Sequence, residues 1–521
     1  MKKIAIIGAS LGQMKLCEKA REMGLFSIGF AWPEGAVCQN LVDRFYPISI
    51  IEREKIVEIC KEEEVQGVVS NASDLTAEVV AYVSEKLGLH GNAYKNLLLI
   101  KDKSYVRSVV RDIEGLHCVD YYIYNGYSPK RYPCVVKPTI GAAKKGVSFV
   151  ANIQDFRNAI KYAQVKSDDK ILIESYIEGR EISIESISFE GQHFVIQITD
   201  KDGTGAPHFV ELGHHQPASL TKNLQEKVKS VVPKILDKVH YMNGASHIEM
   251  KIDNNNELFL IEINPRGGGG EISNQLVFLS TGFDYVKAMI NVSLGDFKMP
   301  KENSFIDFSY AGIYFLCGQT ESYLPFFKSK NPFTWLYEKK VSSLVLNNSV
   351  SNYDRNGFLI YRWWRKVDLL KVNYELISLN AVENNREMAI SFLYQMRKET
   401  ASYDLSVKWI DKILKYADIY AIIVNGAIVA WIVLYCNDYE TRVAYCAGLY
   451  VLQDYRRKYL AQNLLNTAIY ICKQRKFKEL TLYCNNPIAE SLYLKNGFVL
   501  VRKEIVETLK NREYNLLKLT L

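Results

Sequence analysis

Between residues 249 and 266 four side chains have the types and spacing for work on a phosphorylated substrate: Glu249, Glu262, Asn264 and Arg266, within HIEMKIDNNNELFLIEINPRGGGG (247–270). Hard divalent cations such as Mg²⁺ take oxygen ligands from a few protein groups and complete their shell with water and phosphates, a set that two carboxylates and an amide can supply. Arg266 follows two residues later, where its planar fork reaches a phosphoryl or carboxylate oxygen. For these groups to meet, they must sit on neighbouring strands. MKI (250–252) and LFLIEI (258–263) read as the strands of a hairpin with the polar DNNNE between them as the turn. Taken alone, the stretch has a second reading, an acidic solvated hairpin ending in a flexible glycine turn.

Upstream, Tyr132–Pro138 reads as a buried strand ending on Lys137, a place where a lysine is expected to be paired or functional. Next comes Ile140–Val147, a small-residue loop carrying Lys144, Lys145 and Gly146. Its backbone N–H groups suit phosphate oxygens, although it lacks the Walker spacing and an ordinary hairpin turn is the other reading. Lys170–Ile177 is a strand leading to Glu178-Gly179-Arg180-Glu181. Backbone groups near Tyr176 and Ile177 suit the edge of an adenine, and Glu181 suits ribose hydroxyls; otherwise Glu174 and Glu181 are solvated strand ends. Lys103 sits early in a helical pattern, where a surface lysine is equally at home.

The start of the chain must supply a scaffold. Lys3–Gly12 is an apolar strand feeding a small-residue turn and an amphipathic helix, Gln13 to Met23, and residues 65–88 repeat the theme. Residues 1–95 therefore read as a Rossmann-like layer, with Asn71, Ser73 and Asp74 at the end of one strand. Any strand-to-helix turn in a parallel sheet favours small residues, so the glycines do not imply a dinucleotide.

In order, spacing and residue type from Lys103 to Arg266, residues 1 to about 365 resemble the ATP-grasp superfamily of carboxylate–amine ligases, its amino-acid-ligase and biotin-carboxylase-like branch. The resemblance implies ATP and Mg²⁺ (or Mn²⁺) as cofactors. It assigns Lys103 and Lys137 to phosphate contact and residues 140–147, including Lys145 and Gly146, to a loop over the triphosphate. It makes Glu174 to Ile177 the adenine hinge and Glu181 the ribose ligand. Glu249, Glu262 and Asn264 become metal ligands and Arg266 the catalytic arginine. Thr199–Pro217, containing FVELGH followed by a proline, is similar to a segment of the same branch and implies Glu211 for a substrate ammonium and His214 or His215 for a polar group; the other reading is a loop with two ordinary histidines. Two adjacent histidines without spaced partners do not make a zinc site. The run Gly267–Gly270, Gly268 above all, leaves room beside Arg266 for a small carboxylate.

Near 365–375 the pattern restarts. Residues 419–435 form two strands joined by Asn425-Gly426, a hairpin signal. Then come the strand Ala444–Val451, a basic turn with Arg456, Arg457 and Lys458, and a helix to about Lys476. A strand, a basic turn and a helix N-terminus make a site for the pyrophosphate of coenzyme A. Residues 373–521 resemble the GNAT acetyltransferase fold, whose R-x-x-G-x-G/A pattern falls on Arg456 to Ala461 with Tyr459 in place of a glycine. That resemblance implies acetyl-CoA or another acyl-CoA, bound by Val451, Arg456, Arg457, Lys458, Ala461 and Asn486. It also makes Tyr493 the acid that protonates the departing thiolate, with core packing on its helix as the other reading.

The expected fold class is α/β and α+β multidomain: a Rossmann-like layer (1–95), an ATP-grasp domain (96–365, strand-rich from about 300) and a GNAT domain (373–521). The expected function is a bifunctional enzyme, an ADP-forming ligase that makes an amide through an acyl phosphate, joined to an acyltransferase. A bicarbonate-dependent carboxylase and a non-catalytic acyl-CoA sensor are the alternatives. A net charge of +7, from 65 basic and 58 acidic residues, points to no nucleic-acid partner. Ten cysteines without a CxxC pair and the absence of a secretory leader give the expectation of a reduced cytoplasmic setting, and no apolar run is long enough for a membrane. Small-molecule carboxylates and amines, amino acids foremost, are the expected partners; a homodimer through the ligase half is a common solution among the relatives.

Overall fold

The computed structural model describes residues 1–141, 145–166, 170–300, 309–329, 333–370, 375–399, 406–424, 426–506 and 512–521. It divides into two compact units, Met1–Thr320 with Val341–Phe358, and Glu321–Lys340 with Leu359–Leu521. The class is mixed α/β and α+β.

The first unit opens with a four-stranded parallel sheet in the order Arg44–Tyr46, Phe26–Phe30, Lys3–Ile7, Gly67–Val69. Parallel strands are covered on both faces, which is why they read as continuous apolar runs. Ile4 and Ile6 pack with Leu16, Cys17 and Ala20 on one face, and Ala5 and Ile7 with Ile56, Val79 and Val83 on the other. The helix Asp74–Leu87 begins at Ser73, whose side chain accepts from the Thr76 N–H, and ends at Gly88 with φ +64°.

A second, antiparallel sheet has the order Tyr121–Ile123, Ile171–Ser175, Cys134–Pro138, Ser148–Val150. The helix Ile153–Lys166 covers one face with Phe156, Ala159, Ile160 and Ala163, a spacing of three, four and seven that defines one stripe.

The third sheet carries most of the expected site. Within this unit its strands run in the order Leu258–Asn264, Gly244–Ile252, Arg180–Phe189, Gln192–Gly203, Glu211–Gln216, Tyr310–Leu316. Alternation, interrupted by bulges, divides its faces. Ile182, Ile184, Ile198, Ile248, Met250 and Leu260 pack against Val228, Val231, Val232 and Ile235 of the helix Lys222–Lys238. The intervening residues, among them Glu181, Glu185, Lys201, His247 and Glu249, turn the other way. The expected hairpin is present, Gly244–Ile252 with Leu258–Asn264, and Glu249 stands directly opposite Glu262.

Two segments differ from expectation. Residues 199–203 and 211–216 are the paired ends of Gln192–Gly203 and Glu211–Gln216, with 204–210 as the connection between them, so His214 and His215 lie on a strand. Their polar residues face a polar interior, which removes the apolar alternation by which a strand is recognised. Residues 305–365 hold the strands Tyr310–Leu316, Leu336–Val341 and Gly357–Trp363, but also a helical turn, Gly318–Tyr323, and the short helix Leu324–Lys328, with Pro325 in its first turn.

The second unit has a seven-stranded sheet in the order Glu375–Ser378, Asp418–Val424, Ala427–Tyr435, Val443–Val451, Glu479–Cys484, Arg512–Thr520, Val499–Val506. The pair Val443–Val451 and Glu479–Cys484 is parallel and joined through the helix Leu460–Gln474. Asn425 of the expected turn lies outside the described residues. No described helix is long and apolar enough to cross a membrane.

Candidate functional site

The polar face of the third sheet gathers the expected groups into ion-paired clusters. Glu249 Oε1 lies 2.6 Å from Lys201 Nζ and 3.3 Å from His247 Nε2. Glu262 Oε1 lies 2.9 Å from Lys103 Nζ, at the first residue of the helix Lys103–Val109. Lys103 also donates to the Gly141 carbonyl at 3.2 Å, at the start of the 140–147 loop. Asn264 is buried on the strand end, and Arg266 Nε donates to Asp74 Oδ1 at 2.6 Å. Glu249, Glu262 and Asn264 therefore share one hairpin, with Arg266 immediately beyond it. Among the described residues no three His, Cys, Asp or Glu side chains form a ready metal cage. The set of two carboxylates and one amide fits Mg²⁺ in chemistry, with water and phosphate oxygens completing its shell.

Lys137 and Glu174 form a second cluster. Lys137 Nζ is 2.6 Å from Glu174 Oε2, and Arg107 Nε is 2.8 Å from Glu174 Oε1, with all three side chains buried. The alternative reading of Glu174 as a solvated strand end does not hold, since the residue is buried. Its carboxylate is enclosed and spent on two cations, which makes it the partner of Lys137. Burial on its own would raise the Glu174 pKa, yet Arg107 and Lys137 bring it down to about 2. Burial, helped by repulsion from Arg107 and Lys103, pulls Lys137 below its ordinary value despite the attraction of Glu174.

At the expected adenine hinge, Tyr176 N–H donates to the Pro133 carbonyl at 3.2 Å. Lys251 donates to the Ile177 carbonyl at 2.9 Å and lies 4.6 Å from the Tyr176 ring centre. Glu181 is 2.9 Å from Lys201. Lys145 is exposed and Gly146 buried with φ +75°, where a Cβ would meet Pro138 Cγ at 2.9 Å. Ala142, Ala143 and Lys144 lie outside the described residues.

Glu211 is held by several partners within the protein. One oxygen is 3.0 Å from Lys201 Nζ, and the other accepts from Asn352 Nδ2 at 2.8 Å and Arg355 at 3.3 Å. His214 is fully buried beside Phe315, and burial drives its pKa down to about 3, so it is neutral. His215 is paired with Asp202 at 2.8 Å. Along the glycine run the Cβ side of Gly268 is filled by the protein, whereas that of Gly269 is open. The Gly268 N–H donates to Glu185 at 3.0 Å, and a Cβ there would stand 2.6 Å from Glu185 Oε1 and 2.7 Å from His247 Nδ1.

Sequence reasoning missed Lys201, Lys251, Arg107, Glu185, His247 and Arg355. For the first five a signal exists in charged residues placed at alternate positions in otherwise apolar strands or on a buried helix face. Arg355 is distant in sequence and has no local signal.

In the second unit, the parallel strands pair only over Val443–Cys446 and Glu479–Leu482, so the following residues Ala447–Val451 have no partner from Glu479–Cys484. The helix Leu460–Gln474 starts after the basic turn. Arg457, Lys458 and Tyr459 are exposed, and Arg457 and Tyr459 both take positive φ, +60° and +58°. Tyr459 thus adopts the backbone that a glycine would hold. Arg456 bends back to the Val451 carbonyl at 3.0 Å and the Tyr450 hydroxyl at 3.2 Å. Ala461 is half-buried in the first helical turn, whose N–H groups an anion can use. Asn486 spends its side-chain oxygen capping the helix Pro487–Lys495 through Ile488 and Ala489 N–H. Tyr493 is buried, its ring 5.5 Å from that of Phe498.

Comparison with known proteins gives two family matches, the ATP-grasp domain over residues 130–275 and the acetyltransferase (GNAT) family over residues 386–498. Phosphoribosylamine–glycine ligase of Lactococcus lactis subsp. lactis (strain IL1403) is 22% identical over 314 residues, 56% of this chain and 75% of that protein. Alanine–anticapsin ligase of Bacillus subtilis (strain 168) is 24% identical over 249 residues, 42% of this chain and 52% of that protein, so the chain spans about half of its length. Among solved structures, L-amino acid ligase from Bacillus licheniformis superposes with a TM-score of 0.57 at 21% identity, covering 70% of this chain and 94% of that one; at this identity the likeness shows the fold.

Proposed function

From a chain that joins an ATP-grasp domain to a GNAT-family domain, we propose that its first part activates a carboxylate with ATP and joins it to an amine, with amino acids as substrates. The observation that carries this reading is the grouping on one polar sheet face and its border of Lys103 with Glu262, Lys137 with Glu174, Glu249 opposite Glu262, and Asn264 beside Arg266. A carboxylate is a poor electrophile because its oxygen is a poor leaving group. Transfer of the γ-phosphoryl group to that oxygen releases ADP and leaves an acyl phosphate. Attack by the amine nitrogen on the acyl carbon then expels phosphate and forms the amide. Lys103 and Lys137 spread the charge of the transferring group, and Arg266 stabilises the charge that develops near the acyl carbon. A magnesium ion held by Glu249, Glu262 and Asn264 would neutralise phosphate oxygens. The amino-acid substrates are supported by the names of the related ligases.

The second part transfers an acetyl or other acyl group from coenzyme A to an amine. The parting parallel strands and the basic turn before a helix N-terminus support this reading. Ten free cysteines, nine of them buried, support a reduced cytoplasmic setting.

The test is incubation of the full chain with Mg-ATP and an amino-acid pool, with and without acetyl-CoA, following ADP and new masses together. ADP with an amide-mass product is expected, and Glu262→Gln and Arg266→Ala should each lower turnover by about 10²-fold or more. ADP release that survives both substitutions would overturn the assignment.

A further inference from the structure

Lys201 belongs to no role so far described, yet it is the most enclosed cation of the first unit's polar face. Its side chain is 3% exposed, and its ammonium lies 2.6 Å from Glu249, 2.9 Å from Glu181 and 3.0 Å from Glu211. An ammonium has three N–H donors and here it meets three carboxylates. Cross-strand register produces the arrangement: Lys201 stands opposite Glu181 on one neighbouring strand and His214 on the other, and Glu249 follows one strand further on. The second oxygen of Glu211 is tied by Asn352 and Arg355, so the carboxylate is fixed toward the lysine.

We propose that Lys201 is a positioning residue that couples the nucleotide and metal positions through its shared ion pairs with Glu181 and Glu249. The inference rests on the ligase reading, in which Glu181 faces the ribose and Glu249 the metal. One ammonium among three carboxylates takes a position that compromises between them. When a divalent cation draws on Glu249, the lysine is left more strongly bound to Glu181 and holds that carboxylate in one orientation for the ribose hydroxyls. The effect is reciprocal by linkage: whatever favours Glu181 in that orientation favours the cation at Glu249. Lysine suits the task because its charge is compact and its stem is flexible enough to shift between partners.

The experiment is calorimetric titration of the full chain with ADP and with 2′,3′-dideoxy-ADP, each in saturating Mg²⁺ and in EDTA. The affinity lost with the ribose hydroxyls should differ between the two conditions by on the order of tenfold in the unaltered protein. In Lys201→Met the two losses should agree within about twofold, while Lys201→Arg should restore part of the difference. A lysine that only fills space would leave the difference unchanged in Lys201→Met, and that result overturns the proposal. If Lys201→Met does not fold, Lys201→Gln, which keeps a polar side chain without the charge, should bring the two losses together in the same way; a difference that persists there overturns the proposal equally. Failure of the unaltered protein to bind ADP at all would instead refute the ligase reading, and this inference with it.

Discussion

Replacing Glu174 with Gln should strand two buried cations. Arg107, Lys137 and Glu174 are 4%, 7% and 5% exposed, with contacts of 2.8 and 2.6 Å, so solvent screens little of their interaction. Lowering the Glu174 pKa from 4.5 to about 2 corresponds to about 3 kcal/mol of native-state preference for the carboxylate. The opposing shift on Lys137 subtracts from this sum, while loss of one partner from a buried pair costs roughly 3–5 kcal/mol in general. A loss of about 3 kcal/mol is therefore expected, or roughly 6 °C at about 2 °C per kcal/mol for a large unit. Thermal melting of the full chain, read at the transition that ADP shifts, measures it. The sign with pH is fixed as well. A carboxylate with a depressed pKa contributes its stability above the ordinary value and loses it as pH falls from about 4.5 toward about 2, so wild type and variant should converge across that window. The double variant Glu174→Gln/Lys137→Met removes one stranded cation and should recover more than half of the loss. A single variant melting within about 1 °C of wild type, or a double variant no better than the single, would refute the reasoning.

Two further substitutions test local geometry. Gly268→Ala places a methyl 2.6–2.7 Å from Glu185 and His247 and should cost about 1–3 kcal/mol with loss of ligase turnover, whereas a Cβ at Gly269 meets nothing within 4 Å and Gly269→Ala should melt like wild type. Equal melting of the two would show that the glycine run has slack. Tyr459→Gly relieves a non-glycine residue held at φ +58°, a strain of about 1 kcal/mol that the greater freedom of unfolded glycine largely offsets. Stability should stay within about 1 kcal/mol, while acetyl-CoA affinity by calorimetry rises several-fold through closer approach of the pyrophosphate to the turn; unchanged or weaker binding would show that Tyr459 does not crowd that ligand.

Much of the fold was legible because it follows from local periodicity. Continuous apolar runs marked the parallel strands at Lys3–Ile7 and Gly67–Val69, and the apolar runs 250–252 and 258–263 around DNNNE marked the hairpin, whose first strand reaches back to Gly244. The residue types at 249, 262, 264 and 266 likewise followed from reading along one short segment. What the chain order alone could not determine is which charge meets which. Lys201 and Glu181 are twenty positions apart, Arg107 and Glu174 sixty-seven, and Glu211 and Arg355 one hundred and forty-four. Their pairing depends on strand register and on which loops return to the sheet. Sequence therefore determined that the polar residues alternate with apolar ones and so share a face. Only the tertiary structure decided that Glu211 and Glu174 are already satisfied, because an ion pair acts over a few ångströms of space and is indifferent to separation along the chain.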